Sequence, residues 1–295
     1  MKTVRFKRFC DKSMQKYEEK ESLGAGFHKF FINFAFIMST IIYSSPIFGP
    51  VKSRRLGISL GINLLPEGGK WCSFDCIYCE CGFNADRRTH NPLPTSQEVE
   101  RRLTEKLRQM KAEGIVPDVL TFAGNGEPTL HPRFPEIARR VKAVRDRECP
   151  QARMSILSNA TQVHRSEVRD ALMLFDNNIQ KLDTVDSAFI RKVDRPQGRY
   201  EVEQLVENLC LFRGHVIIQT MFLSGSFEGE CVDNTGDEYV EPWLRALERI
   251  RPSQVMIYTI DRETPAPDLL KATPERLDEI AERVRALGME CSVSY

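Results

Sequence analysis

No net charge of consequence marks this chain of 295 residues: 42 Lys and Arg stand against 41 Asp and Glu, a formal balance of +1. Such an even balance excludes a whole-surface electrostatic case for nucleic acid and leaves room only for a local basic face. Nor does any apolar run reach the roughly 20 residues that a membrane-spanning helix needs. The longest, FFINFAFIMSTIIY at residues 30–43, ends at 14 and is interrupted by Asn33, Ser39 and Thr40. It is apolar nearly all round, unlike the one-sided stripe of a surface anchor. No small-residue cleavage site follows a short basic head, as a signal peptide requires. No stable membrane span and a cytoplasmic location are therefore expected. The 17 Gly have no collagen-like period, and no segment is low-complexity or repeats at solenoid length. With 41% hydrophobic and 28% charged residues, the composition is that of an ordinary globular protein. The length suits one large domain or two smaller ones.

An evenly spread cysteine framework is missing too. Of nine cysteines, Cys72, Cys76, Cys79 and Cys81 fall within ten residues, while Cys10, Cys149, Cys210, Cys231 and Cys291 are scattered. Disulfide scaffolds are normally smaller secreted chains with even counts. A tight cluster in a chain of this size points instead to metal in a reducing compartment. Residues 1–40 read as a poorly specified amino-terminal extension. Met38 offers a later natural start, so that part of residues 1–37 need not belong to the working protein, and residues 41–295 form the core domain.

From about Ile41 onward, strand-like and helix-like stretches alternate. Runs rich in β-branched residues fall at Leu56–Leu65, Val119–Ala123, Ser155–Ser158, Ile179–Asp183, Val216–Met221, Val255–Ile260 and Glu290–Val293. Amphipathic stretches lie between them at Ser96–Glu113, Arg133–Arg147, Val163–Phe175, Tyr200–Phe212, Val240–Ile250 and Pro274–Leu287. Six β-then-α units imply a parallel sheet, because parallel strands need helical crossovers. Runs such as HVIIQTMF suit strands buried on both faces. Periodicity leaves open whether this α/β sheet is doubly wound or forms a full or partial barrel. In either case chemistry gathers at the carboxyl ends of the strands. The unusual residues lie there: the cysteine cluster, then Gly124-Asn125-Gly126-Glu127, Ser158-Asn159, Lys181 and Asp183, and a long polar loop at Ser224–Glu238.

Thiolates are soft ligands for zinc or iron–sulfur centres. Structural zinc usually takes two CxxC pairs or added histidines, and neither accompanies this cluster. The C-x3-C-x2-C spacing of Cys72, Cys76 and Cys79 can hold three corners of a cubane and leave its fourth iron open to a substrate or cofactor. A fourth thiolate would close that iron, so Cys81 is read as a non-ligand.

Cys72-x3-Cys76-x2-Cys79, with Tyr78 before the third cysteine, resembles the hallmark of the radical S-adenosyl-L-methionine (SAM) superfamily. The stretches Gly49-Pro50-Val51-x-Ser53-Arg54-Arg55-Leu56-Gly57 and Phe122–Pro132 are similar to iron–sulfur oxidoreductases related to the wyosine-base synthases of tRNA. The chain departs from archaeal wyosine synthases in having only Cys10 ahead of the motif. The resemblance implies a partial (β/α)6 barrel in which Cys72, Cys76 and Cys79 ligate a [4Fe-4S] cluster. It further implies that SAM chelates the open iron and is split reductively to a 5′-deoxyadenosyl radical, which abstracts hydrogen from a substrate. The electron would come from an external donor of flavodoxin or ferredoxin type.

The same resemblance places Tyr78 near the adenine, although packing of the loop is an equal reading. It places Gly124, Gly126 and Glu127 near the SAM amino group, with Asn125 where the family's triplet has its first Gly; the alternative is a turn capped by Glu127. Ser158 and Asn159 would meet the ribose or carboxylate of SAM, or else cap the next helix. Gln219 and Thr220 could line the same cavity or merely pack. Lys181 and Asp183 are candidates for substrate contact and catalysis. Lys52, Arg54, Arg55, Lys70, Arg87 and Arg88 form a basic surround that would meet RNA phosphate or a cofactor carboxylate, or simply be solvated. The substrate expected is tRNA, another protein or a small molecule. The competing functions are a glycyl-radical-enzyme activase and a non-catalytic iron–sulfur or zinc-binding protein.

Overall fold

The computed structural model describes residues 41–53 and 57–295. The expected extension, all but the last three residues of the apolar run, and Arg54-Arg55 lie outside the described residues. Among the described residues no helix is long and apolar enough to cross a membrane.

Among the described residues the main sheet has eight strands. β1 (Ile47–Ser53) pairs antiparallel with β2 (Gly57–Ile62). Parallel pairing then runs through β3 (Val119–Phe122), β4 (Arg153–Ser158), β5 (Asn177–Lys181), β6 (Ile217–Met221), β9 (Gln254–Tyr258) and β11 (Cys291–Ser294). β7 (Leu223–Phe227), β8 (Glu230–Cys231) and β10 (Leu269–Lys271) form a separate three-stranded sheet. The helices are α1 (Ser96–Ala112), α2 (Phe134–Glu148), α3 (Ser166–Leu172), α4 (Ser187–Val193), α5 (Val202–Cys210), α6 (Asp237–Ile250) and α7 (Pro274–Ala286).

Strand order decides between the two windings. A doubly wound sheet reverses its order at a switch point, whereas the main sheet here follows chain order from β1 to β11 without reversal. That is barrel winding. β1 and β11 are edges that do not pair with each other, so the barrel is partial.

Helix positions follow from the apolar spacing. Val99, Leu103, Leu107 and Met110 of α1 recur at three- and four-residue intervals and are all buried, and Ile137, Val141 and Val144 do the same on α2. Thr95 starts α1 by accepting the Glu98 amide at 3.1 Å. These faces close one core over the strands, including Leu60, Leu120, Phe122, Met154 and Ile156.

Three differences from the sequence reading have identifiable causes. β1 lies ahead of every expected strand and contains Pro50, which an edge strand tolerates. The expected loop at Ser224–Glu238 contains most of β7 and all of β8. Its Gly225 (φ +122°) lies where an added Cβ would stand 2.2 Å from the Asp268 carbonyl oxygen, so glycine serves strand contact there rather than a loop. The helix expected over Val163–Phe175 is only Ser166–Leu172, with Val163 and Phe175 buried in the segments on either side of it.

His131 precedes α2 and is 4% exposed. Its Nδ1 accepts the Arg133 amide at 3.0 Å, so the proton sits on Nε2, 3.0 Å from the Pro94 carbonyl oxygen. Burial lowers its pKa below the ordinary histidine value. The unfolded chain therefore takes up a proton first, and stability that is complete above about pH 6.5 falls as pH drops, by up to about 1.4 kcal/mol per pH unit. His131→Gln is expected to reduce the loss of denaturation midpoint between pH 7.5 and 5.5. An undiminished loss would assign the acid sensitivity elsewhere.

Candidate functional site

The cysteine loop lies at the carboxyl end of β2 and is stitched down along its length. Trp71 N–H donates to the Asn125 carbonyl at 3.0 Å, and Glu127 N–H donates back to the Trp71 carbonyl at 3.1 Å. Farther on, the Asp75 amide donates to the Asp194 carbonyl at 3.0 Å and the Ile77 amide to that of Val193, also at 3.0 Å. The Gln197 amide donates to the Ser73 carbonyl at 2.8 Å. Inside the loop, Asn84 Nδ2 donates to the carbonyls of Cys72 (3.2 Å) and Phe74 (3.0 Å). Beneath it, Ile77 and Tyr78 pack with Phe189, Val193, Met221, Leu223 and Ile260 in a second apolar cluster.

Cys72, Cys76 and Cys79 are reduced and partly exposed, while Cys81 is buried. Although all three keep some solvent contact, desolvation is the main influence on Cys72, pushing its thiol up to about 12, and it raises Cys76 as well. Cys79 is held below the ordinary thiol value because Cys81 donates to it, and Cys81 is correspondingly raised. Cys81 Sγ also lies 3.5 Å from the Gly124 carbonyl oxygen. A single zinc ion needs its sulfurs about 2.3 Å from one point. Among the described residues no three Cys, His, Asp or Glu side chains converge in that way. Three soft thiols on one loop, with no histidine or carboxylate sharing the set, fit separate irons of a polynuclear centre.

The Gly124–Glu127 turn departs from its expected use. An added Cβ on Gly126 (φ +129°) would lie 2.1 Å from the Trp71 carbonyl oxygen. This glycine therefore admits the chain leading into the cysteine loop. Asn125 is fully buried and clamps Tyr43, accepting its amide at 2.8 Å and donating to its carbonyl at 2.8 Å.

Glu127, 2% exposed, joins three loops. Its Oε1 accepts from Thr129 N–H (2.9 Å), from the Thr129 hydroxyl and from Ser158 Oγ (3.0 Å); its Oε2 accepts from the Asn159 amide at 2.6 Å. Burial raises the carboxyl pKa and these donors oppose the rise. Glu127 thus does cap the short turn Pro128–Leu130. Ser158 and Asn159 do not cap α3, whose N-cap is Arg165. Asn159 Nδ2 instead lies 3.5 Å from Cys72 Sγ and 3.0 Å from Ser73 Oγ.

Lys181 and Asp183 do not stand free in a cavity. Lys181 Nζ is paired with Asp183 Oδ2 at 2.7 Å and with Asp194 Oδ1, and Tyr78 donates its hydroxyl to Asp183. Asp183 Oδ1 accepts the Met221 amide at 3.0 Å. Desolvation opposes the Lys181 charge, but the two carboxylates outweigh it and lift its pKa well above the usual value. No local pattern marks Asp194, which reaches this cluster only because the chain beyond α4 folds back along the cysteine loop. Thr220 is buried and donates to the Leu182 carbonyl at 2.8 Å, whereas Gln219 is partly exposed. Lys52 and Arg88 are exposed, but Lys70 is buried and is no part of a basic rim.

A singly wound, mostly parallel sheet with a cysteine loop at its carboxyl edge defines the class, an α/β protein of partial-barrel type. The chain belongs to the radical SAM superfamily, whose sequence profile matches residues 67–233; members of that family use a [4Fe-4S] cluster and SAM. It is 34% identical to a UPF0026 protein of Methanocaldococcus jannaschii over 60% of this chain and 53% of that protein. It is 30% identical to a UPF0026 protein of Synechocystis over 74% of this chain and 77% of that one. The chain thus spans about half the length of the first relative. Among solved structures, a radical SAM methyltransferase from Sphaerobacter thermophilus superposes with TM-score 0.61 at 18% identity, covering 80% of this chain and 66% of that one. Streptococcus suis SuiB bound to S-adenosylmethionine superposes with TM-score 0.54 at 14% identity, covering 79% of this chain and 50% of that one. At these identities the two share the fold.

Proposed function

We propose that residues 41–295 are the core of a radical SAM enzyme in which Cys72, Cys76 and Cys79 hold the cluster and Cys81 does not. The observation that carries this reading is a single loop with three reduced thiols, bound by backbone hydrogen bonds to the Gly124–Glu127 turn and to residues 193–197. When bound, the cluster and SAM supply reductive cleavage to methionine and a 5′-deoxyadenosyl radical able to abstract hydrogen. The chain's own work is positioning. Glu127 ties Ser158 and Asn159 to the turn, and Asn159 in turn faces Cys72. Tyr78 anchors the loop through its hydroxyl, with its backbone left to meet adenine. Gly124, Ser158 and Asn159 are the proposed SAM contacts, while Gly126 admits the chain at Trp71. Lys181 and Asp183 serve as supports rather than catalytic groups. The electron donor is of flavodoxin or ferredoxin type, and tRNA is the first substrate to test, with proteins second.

Anaerobically reconstituted protein is expected to be brown, to absorb near the iron–sulfur charge-transfer region, and to convert SAM to methionine and 5′-deoxyadenosine when reduced. A colourless zinc protein that leaves SAM intact would overturn the reading. Mass spectrometry of tRNA nucleosides and of the proteome from a deletion strain then separates the two substrate classes.

A further inference from the structure

The two faces of the main sheet are used differently. Alternation along the strands puts Leu120, Phe122, Met154, Ile156, Val255 and Ile257 on the face that packs with the helices in one core. The opposite, inner face carries Gln219 of β6, Met256 of β9 and Ser292 of β11, register neighbours across the parallel pairings. Two residues farther along the same strands stand Met221, Tyr258 and Ser294, again in register. Met221 and Tyr258 pack in the apolar cluster beneath the cysteine loop. This wall therefore reaches the underside of the loop.

A closed barrel fills its interior with bulky branched side chains. Here the inner face stays open to solvent. Leu157, on the same face of the interior strand β4, is 36% exposed, and Gln219, Tyr258, Ser292 and Ser294 are partly exposed. The side chains of Gln219, Ser292 and Ser294 make no hydrogen bond to another described residue, and each offers both a donor and an acceptor. The charge in register with Gln219 is Lys181, which Asp183 and Asp194 match. Arg153, also on this face, begins β4 and so lies at the end away from the loop. The wall is thus neutral, with unused hydrogen-bonding groups set among apolar and aromatic ones.

Resting on the radical SAM reading above, we propose that this wall receives an unstacked nucleobase of the substrate and that Gln219 is the residue that selects it. Neighbouring strands lie about 4.8 Å apart, so β6 and β11, with β9 between them, stand roughly 10 Å apart. A carboxamide presents one donor and one acceptor on a short edge and does not bridge that width. A base carries donors and acceptors around a flat ring, and Met256 and Tyr258 supply the apolar and aromatic contact that holds an extruded ring. A phosphate finds no unmatched cation beside Gln219. The unpaired edges of β1 and β11 leave the way in.

The test uses the full chain, reconstituted anaerobically, with the cluster oxidised and SAM in excess to occupy its own site. Adenosine, guanosine, cytidine and uridine are titrated singly by saturation-transfer NMR, beside N-acetylglutamine amide and ribose 5-phosphate. Expected is binding of at least one nucleoside through its base protons, with neither of the other two probes bound. Gln219→Leu is expected to weaken that binding about tenfold or more at an unchanged thermal midpoint, because the base loses its partners in the wall. Ser292→Ala combined with Ser294→Ala is expected to weaken it as well. No nucleoside binding by the wild-type chain, or unchanged affinity in Gln219→Leu, overturns the proposal, and so does binding of the amide or of ribose 5-phosphate in place of a nucleoside. If Gln219→Leu does not fold, the double serine variant on the edge strand decides, and unchanged affinity there overturns the proposal. A wild-type chain that takes up no cluster removes the radical SAM reading instead, and its iron content shows this before any probe is added, so the two failures are distinguishable.

Discussion

Replacing Cys72, Cys76 or Cys79 singly by alanine is expected to abolish bound iron, the associated visible absorption and SAM cleavage, whereas Cys81→Ala keeps most of all three. The reason is count and position. A cubane held by three protein thiolates has no spare ligand, so each loss leaves two anchors and an exposed, labile iron. Cys81 is occupied differently: it is buried, sits against the Gly124 carbonyl and donates to Cys79. Its removal costs a weak hydrogen bond and a little packing rather than a metal ligand. The apo forms should remain folded, because the loop is held by backbone bonds from Trp71, Asp75 and Ile77 that no cysteine side chain makes. Iron per chain and thermal midpoint, measured together, check this. Iron loss in Cys81→Ala matching that of the other three would overturn the three-ligand assignment.

Glu127→Gln is expected to lower stability by about 2–4 kcal/mol, since hydrogen bonds to a charged group contribute about 1.5–3 kcal/mol and an amide cannot replace all of them. Four donors converge on the carboxylate. A glutamine offers one acceptor oxygen and places an NH2 against donors on the other side, either the Asn159 amide or Thr129 with Ser158. At roughly 2–4 °C per kcal/mol for a domain of this size, the thermal midpoint should fall by about 5–15 °C. Iron content should survive, because no thiol is touched. An unchanged thermal midpoint with SAM affinity lost would return Glu127 to the role of a direct SAM contact.

The amino-acid sequence alone made several features legible. Six β-then-α units could be counted because parallel strands buried on both faces read as apolar runs, and because crossover helices carry an apolar stripe and caps such as Thr95. The cysteine loop was legible because ligand spacing is a local property of the chain. So was the gathering of unusual residues at strand ends, since each motif directly follows its own strand.

What local pattern could not carry was partnership. The winding was open until strand order showed no reversal, because periodicity does not record which strand lies beside which. Lys181 read as a free group because Asp194, which joins Asp183 in pairing with it, is 13 residues farther on and arrives through the fold-back after α4. Gly126 read as room for a ligand, yet the space is filled by Trp71, more than 50 residues earlier. Lys70 read as surface charge because a lone lysine usually is solvated; only tertiary packing buried it against the Gly82 carbonyl and Asp75. Spacing along a chain determines which groups can act together locally, whereas burial and charge compensation depend on long-range neighbours, and those exist only once the sheet has wound.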